Sequence, residues 1–190
     1  MGNSPAKIAV LGAGSWGTAL AVLLARNGAK VLLWGHHEHE VYALQRDREN
    51  CTFLPGTPFP DNLDITADLQ VAVSGSDAVL VVVPSHAFAE VLTTLKPVLQ
   101  PGTLLSWATK GLEPVTGRLL HEVAEEIFPG RSVAVVAGPS FAKEVGKGRP
   151  TAITVASSSQ AHAESMANYL HSDYFRAYTS QDIIGLEIGG

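Results

Sequence analysis

Three short segments carry residue types and spacings from which chemistry could be built. Gly12-Ala13-Gly14-Ser15-Trp16-Gly17 sets three glycines in the pattern G-x-G-x-x-G, directly after an apolar run and at the start of an amphipathic stretch. That context gives the pattern its meaning. Gly12 permits a tight turn, Gly14 lets the backbone approach a pyrophosphate, and Gly17 lets helix and strand pack closely. The free N–H groups and the dipole of a helix start then attract the anion. The competing reading is a glycine-rich turn with no ligand. Further along, Trp34-Gly35-His36-His37 has no acid at its tip, and the nearest is Glu38. A carboxylate there would accept the ribose hydroxyls of NAD and repel a 2′-phosphate. Its absence favours NADP(H) while leaving NAD(H) open. His36 and His37 could donate to that phosphate, with Arg46 or Arg48 expected nearby; the alternative is a pair of solvated loop histidines.

The other two segments suggest a second anion site. Ala108-Thr109-Lys110-Gly111-Leu112-Glu113 and Ala137-Gly138-Pro139-Ser140-Phe141-Ala142-Lys143-Glu144 each follow a β-branched or apolar run, as does the shorter Val83-Pro84-Ser85. Ligands in open α/β sheets bind at such strand ends. Lys110 is the one cation at its strand tip, among small residues, and is a candidate substrate anchor rather than an ordinary solvated lysine. Gly138-Pro139-Ser140 forms a stiff turn with a close-approach glycine and a hydroxyl. Ser140 reads as a donor to ligand rather than a nucleophile, because no partner base can be argued. Lys143 and Glu144 read more simply as a solvated helix start.

The elements that must position these residues alternate. Strands are predicted at Lys7–Leu11, Lys30–Trp34, Ala78–Val83, Thr103–Trp107, Ser132–Ala137, Thr151–Ala156 and Phe175–Thr179. Helices are predicted at Trp16–Asn27, closed by Gly28, and at Glu38–Arg48, Phe88–Leu99, Val115–Phe128 and Gln160–His171. Strand–helix alternation with crossovers of this length implies an α/β fold, doubly wound, with a mostly parallel sheet and helices on both faces. Cys51–Asn62, with Pro55, Gly56, Pro58 and Pro60, is a long loop that is either functional or a rigid surface excursion. Asp182 can cap a helix starting at Ile183. That divides the chain into a dinucleotide-binding domain at 1–181 and the start of a further domain at 182–190, and the sequence reads as one domain of a longer protein.

Composition excludes several classes. At 190 residues, 46% hydrophobic and 16% charged, the chain can bury a core. A net charge of −5 argues against a nucleic-acid binder. One cysteine, Cys51, leaves no internal disulfide or multi-cysteine metal site and suits a reducing compartment. No metal site is expected from the scattered histidines. The apolar runs fall far below the ~20 residues of a membrane span, and the N-terminus lacks a signal-peptide layout. A cytoplasmic location is expected.

GAGSWG at Gly12–Gly17, NCTFLPG at Asn50–Gly56, ATKGLE at Ala108–Glu113 and GPSFAKEV at Gly138–Val145 occur together and in this order. With these motifs, over essentially its whole length, the chain resembles the bacterial NAD(P)-dependent glycerol-3-phosphate dehydrogenases. The resemblance implies a Rossmann-type N-terminal domain followed by a helical substrate domain. It also implies reversible reduction of dihydroxyacetone phosphate to sn-glycerol 3-phosphate, which supplies phospholipid backbones, and allows a homodimer. By position it assigns Ser15, Trp16, His36, His37 and Ala142 to the cofactor, Lys110 to cofactor and substrate, and Gly138 and Ser140 to the substrate. In the family the helix continues past a segment like Ile188-Gly189-Gly190 into an Ala-hydrophobic-Lys-Asn motif, whose lysine is the expected general acid/base. The 190 residues alone are therefore expected to bind cofactor and to turn over poorly or not at all. Two other readings stay open: a non-catalytic NADP-binding redox sensor, and a related 2-hydroxyacid or sugar-acid dehydrogenase.

Overall fold

The computed structural model describes residues 4–190. Met1–Asn3, part of the segment expected to carry no signal peptide, lie outside it. The first half of the chain forms β1 (Lys7–Leu11), α1 (Ser15–Arg26), β2 (Lys30–Trp34), α2 (Glu38–Asp47), β3 (Leu63–Thr66), α3 (Leu69–Val73), β4 (Ala78–Val81) and α4 (Ser85–Leu95). The second half forms β5 (Leu104–Trp107), α5 (Leu120–Ile127), β6 (Val133–Ala137), α6 (Ala142–Gly146), β7 (Thr151–Ala156), α7 (Gln160–Leu170), β8 (Phe175–Ser180) and α8 (Ile183–Gly189).

The strands form one sheet in the order β3-β2-β1-β4-β5-β6-β7-β8. Every pairing is parallel except β6 with β7. This is the doubly wound α/β fold expected from the alternation. The strand order reverses between β1 and β4, which opens a crevice above their carboxyl ends.

Side-chain alternation builds a core on each face of the sheet. On β1, Ile8 and Val10 enter one core, and Ala9 and Leu11 the other. On β4, Ala78 and Leu80 follow the first pair, and Val79 and Val81 the second. The first core is covered by α1, α2 and α7, the second by α3, α4 and α5. Gly17 to Ala25 of α1 are buried without a break, so this helix is held on all sides and its N-terminus is rigidly aimed.

Several boundaries differ from the sequence reading. β3 and α3 were not anticipated: each is too short to show a period, and they lie directly after the proline-rich loop. α5 begins at Leu120 rather than Val115. The Glu113 carboxylate captures the amides of Val115 and Thr116 at 3.0 and 2.7 Å, and Gly117 turns the chain with φ +70°. The helix cannot start until that turn is complete. The helix predicted from Phe88 instead begins at Ser85, directly behind Pro84.

Candidate functional site

The glycine turn shows what each of its glycines does. A Cβ at Gly12 would overlap the carbonyl of Val82, and one at Gly17 would overlap the carbonyl of Gly12. Both are dictated by packing, and Gly12 also has φ +121°. A Cβ at Gly14 would meet no protein atom within 4 Å. The fold itself does not demand a glycine there; the space above Gly14 is open.

That space belongs to a crevice of about 390 Å³ at the strand ends. Gly14, Ser15, Trp16 and Gly17 form one wall, Val82, Val83 and Pro84 a second, and Thr109, Lys110, Ser140 and Ala142 the far side. The structure thus brings together four segments spread over more than a hundred residues of chain. The helices that start at the crevice are not alike, since α6, beginning at Ala142, carries Glu144 in its first turn. α1 and α4 carry no side-chain cap and no acidic residue in their first turn. By contrast α3, α7 and α8 are capped by Asp68, Ser159 and Asp182. First-turn amides have no partner within a helix, so α1 and α4 offer theirs to a ligand. An uncapped helix start beside an open glycine fits a pyrophosphate.

Lys110 reaches across the crevice floor. Its Nζ lies 3.5 Å from the Gly138 carbonyl, which also accepts from Ser140 N at 2.9 Å and Ser140 Oγ at 3.4 Å. None of the ion pairs among the described residues involves Lys110, so its charge is free for an anion. Gly138 is closely packed, with the position of a Cβ lying 3.1 Å from the Ala152 carbonyl oxygen. Thr109 is buried and aims its hydroxyl at the Val81 carbonyl, 3.4 Å away, which joins the two strand tips. Glu113 does no chemistry in this arrangement. Its contacts with Thr116 and the two turn amides hold its carboxyl below the usual range and shape the loop after Lys110.

His36 and His37 stand apart from this crevice, exposed at the tip of β2, with ring centroids 4.8 Å apart. Arg46 and Arg48 do not join them, contrary to expectation. They sit at the far end of α2, roughly 12 Å along a helix rising 1.5 Å per residue. Arg46 is paired with Asp47 at 2.6 Å, and Arg48 donates to the Pro60 carbonyl at 2.7 Å. The sequence reading also missed Glu187. Its carboxylate is 5% exposed and accepts from Trp107 Nε1 at 3.2 Å, from the His121 amide at 3.0 Å and from His121 Nδ1 at 2.6 Å. Nothing in the local sequence announces it, because both partners are distant in the chain. No group of three or more His, Cys, Asp or Glu among the described residues could hold a metal ion. Among the described residues, no helix is long and apolar enough to cross a membrane.

Comparison with known proteins settles the family. Residues 7–163 match the model of the NAD-dependent glycerol-3-phosphate dehydrogenase N-terminus. The chain belongs to this family. A glycerol-3-phosphate dehydrogenase (NAD(P)+) of Xanthomonas campestris pv. campestris strain B100 is 52% identical over the full chain, and one from Escherichia coli O1:K1 / APEC is 50% identical. The chain spans 56% and 57% of the length of these two relatives. The crystal structure of a glycerol-3-phosphate dehydrogenase from Coxiella burnetii superposes with a TM-score of 0.94 at 43% identity, over 98% of this chain and 57% of that one. A UDP-D-ManNAc dehydrogenase from Pyrococcus horikoshii, at 16% identity and a TM-score of 0.74 over 92% of this chain and 46% of that one, shares the fold alone.

Proposed function

We propose that this chain is the dinucleotide-binding part of an oxidoreductase that interconverts dihydroxyacetone phosphate and sn-glycerol 3-phosphate with NAD(P)(H), feeding glycerophospholipid synthesis. The observation that carries the proposal is the crevice itself, in which the open glycine of the phosphate-binding turn faces the unpaired Lys110. When bound, the nicotinamide cofactor supplies the hydride. The residues of the chain place and polarise. Gly12, Gly14, Ser15, Trp16 and Gly17 hold the pyrophosphate on α1, and Ala142 lines the cofactor's far side. Lys110 sets positive charge beside the substrate carbonyl and stabilises charge developing on its oxygen. Gly138 and Ser140 orient the substrate. The proton is assigned to a lysine that follows Gly190 in the longer family members. In support, α8 lays Gly190 against Ala137, immediately before Gly138.

His36 and His37 at the β2 tip, with no carboxylate on the strand end, support NADP(H) over NAD(H). Family membership and the single thiol suit a cytoplasmic, homodimeric enzyme acting on a phosphorylated small molecule. Titrating the chain with NADPH and NADH should show binding of both, with NADPH tighter. The longer protein should oxidise NADPH when given dihydroxyacetone phosphate. Binding without oxidation would favour a redox sensor, and no binding would remove the proposal.

A further inference from the structure

The proline-rich loop after α2 is packed as part of the site rather than as an excursion. Asn50, the residue directly before it, is 2% exposed. Its Nδ2 donates to the Ala13 carbonyl at 2.9 Å and to Thr18 Oγ1 at 2.8 Å. Its Oδ1 accepts from the Phe53 amide at 3.0 Å. The amide therefore clasps the glycine turn and the first turn of α1 with one end and its own loop with the other. Ala13 sits between Gly12 and Gly14 of the turn. A peptide unit is planar and trans, so fixing the Ala13 carbonyl also fixes the Gly14 N–H, which points the opposite way.

The loop continues to a second anchorage. Leu54 and Thr57 are each 1% exposed. They press on Gly146 of α6, where a Cβ would lie 2.8 Å from Thr57 Oγ1 and 3.2 Å from Leu54 Cδ2. Arg26 of α1 donates to the Gly146 carbonyl at 2.7 Å. The helix that follows Gly138-Pro139-Ser140 is thus braced against the helix that follows the glycine turn.

We propose that Asn50 is a positioning residue of the dinucleotide site: its buried amide sets the geometry of the phosphate-binding turn, and the Asn50–Thr57 loop ties that turn to α6. This rests on the reading that the turn binds a dinucleotide. Asp is the informative replacement. It keeps an acceptor for the Phe53 amide and loses both donors, so the loop side survives while the turn side is released.

The test titrates the 190-residue chain and its Asn50→Asp variant with NADPH, following tryptophan fluorescence, with a thermal melt to show that the variant folds. The dissociation constant should rise about tenfold or more, the scale of one lost buried hydrogen bond to an essential group. The rise should be equal at about 0.05 M and about 0.5 M salt, because simple repulsion between the new carboxylate and phosphate would be screened at the higher concentration. A dissociation constant within about twofold of the wild type, or a loss that vanishes in high salt, overturns the proposal. If the variant does not fold, hydrogen exchange on the wild type decides. By reciprocity of coupling, saturating NADPH should slow exchange of the Phe53 amide, and an unchanged rate overturns the proposal. Failure of the wild type to bind NADPH removes the parent reading; wild-type binding with an unaffected Asn50→Asp removes this one alone.

Discussion

The three glycines of the turn look alike in sequence, yet the structure gives them separable consequences. Gly14→Val should leave the fold intact, because nothing stands where its side chain would go. It should abolish NADPH binding by filling the space the pyrophosphate needs, with an unchanged melting temperature as the control. Gly17→Ala should do the reverse first. Its methyl group would collide with the Gly12 carbonyl, so the melting temperature should drop by an amount matching roughly 1–3 kcal/mol of overpacking strain. Lys110→Ala removes a charge that no carboxylate neutralises. In the longer protein it should cut kcat/KM for dihydroxyacetone phosphate by a hundredfold or more, at about 1.4 kcal/mol per tenfold, with folding unaffected; a near-normal rate would take Lys110 out of the site. At this scale the sequence was legible in placing contiguous motifs at the strand ends, since the Gly14–Gly17 segment and Lys110 line one crevice. It was silent on Asn50 and Glu187, whose partners are tens of residues away. It misled on Arg46 and Arg48, because spacing along α2 does not reveal that they point to the wrong end of the helix.

Elements with an unbroken apolar pattern were read almost to the residue: β1, β2 and β7 lie where their β-branched runs predicted. The pattern failed where polar side chains capture backbone amides. Glu113 delays α5 in this way, and it failed again for β3, whose alternation lasts only Leu63–Thr66. The antiparallel turn into β7 was also hidden, since nothing in the run Thr151–Ala156 marks its direction. α8 shows how a short helix is held. It buries no residue fully, though Ile183 and Leu186 pack partly buried against the second core. Asp182 caps the helix by accepting from its own Gly185 amide at 2.8 Å, and the polar tie to the neighbouring elements is Glu187, which reaches Trp107 on β5 and His121 on α5. Trp107 is fully buried and packs edge-on against Phe88, with ring centroids 5.4 Å apart, so this end of the latch is rigid. Glu187→Ala should therefore loosen one element rather than the whole molecule. Hydrogen exchange should accelerate in α8 while the amides of β4 keep their protection. Equal acceleration in both would show that Glu187 supports the global fold instead.

At the scale of the whole molecule, the helix layers must stay seated on both faces of the sheet, and one tie between layer and sheet is titratable. His162 of α7 is 3% exposed. Its Nε2 lies 3.1 Å from the Ser106 hydroxyl on β5, and its Nδ1 lies 3.1 Å from the Ser132 hydroxyl just before β6. A hydroxyl can donate or accept, so a neutral imidazole is satisfied in either tautomer. An imidazolium is not: burial and then the positive charge of Arg131 push the pKa down to about 4. The unfolded chain, with an ordinary histidine near 6.5, binds the proton more readily than the folded one. Stability is then fully present above about pH 6.5 and is lost as the pH falls toward about 4. A displacement of about two and a half units corresponds to roughly 3 kcal/mol, a large share of the ~5–15 kcal/mol that holds a domain folded. His162→Gln keeps polar atoms for the two hydroxyls and cannot take up the proton. Denaturant unfolding of the two proteins from pH 7 to pH 4 should show the wild type losing stability more steeply, with the gap opening below about pH 6.5. Parallel curves would mean that acid enters the fold elsewhere and that the seat of α7 on β5 does not depend on an uncharged ring.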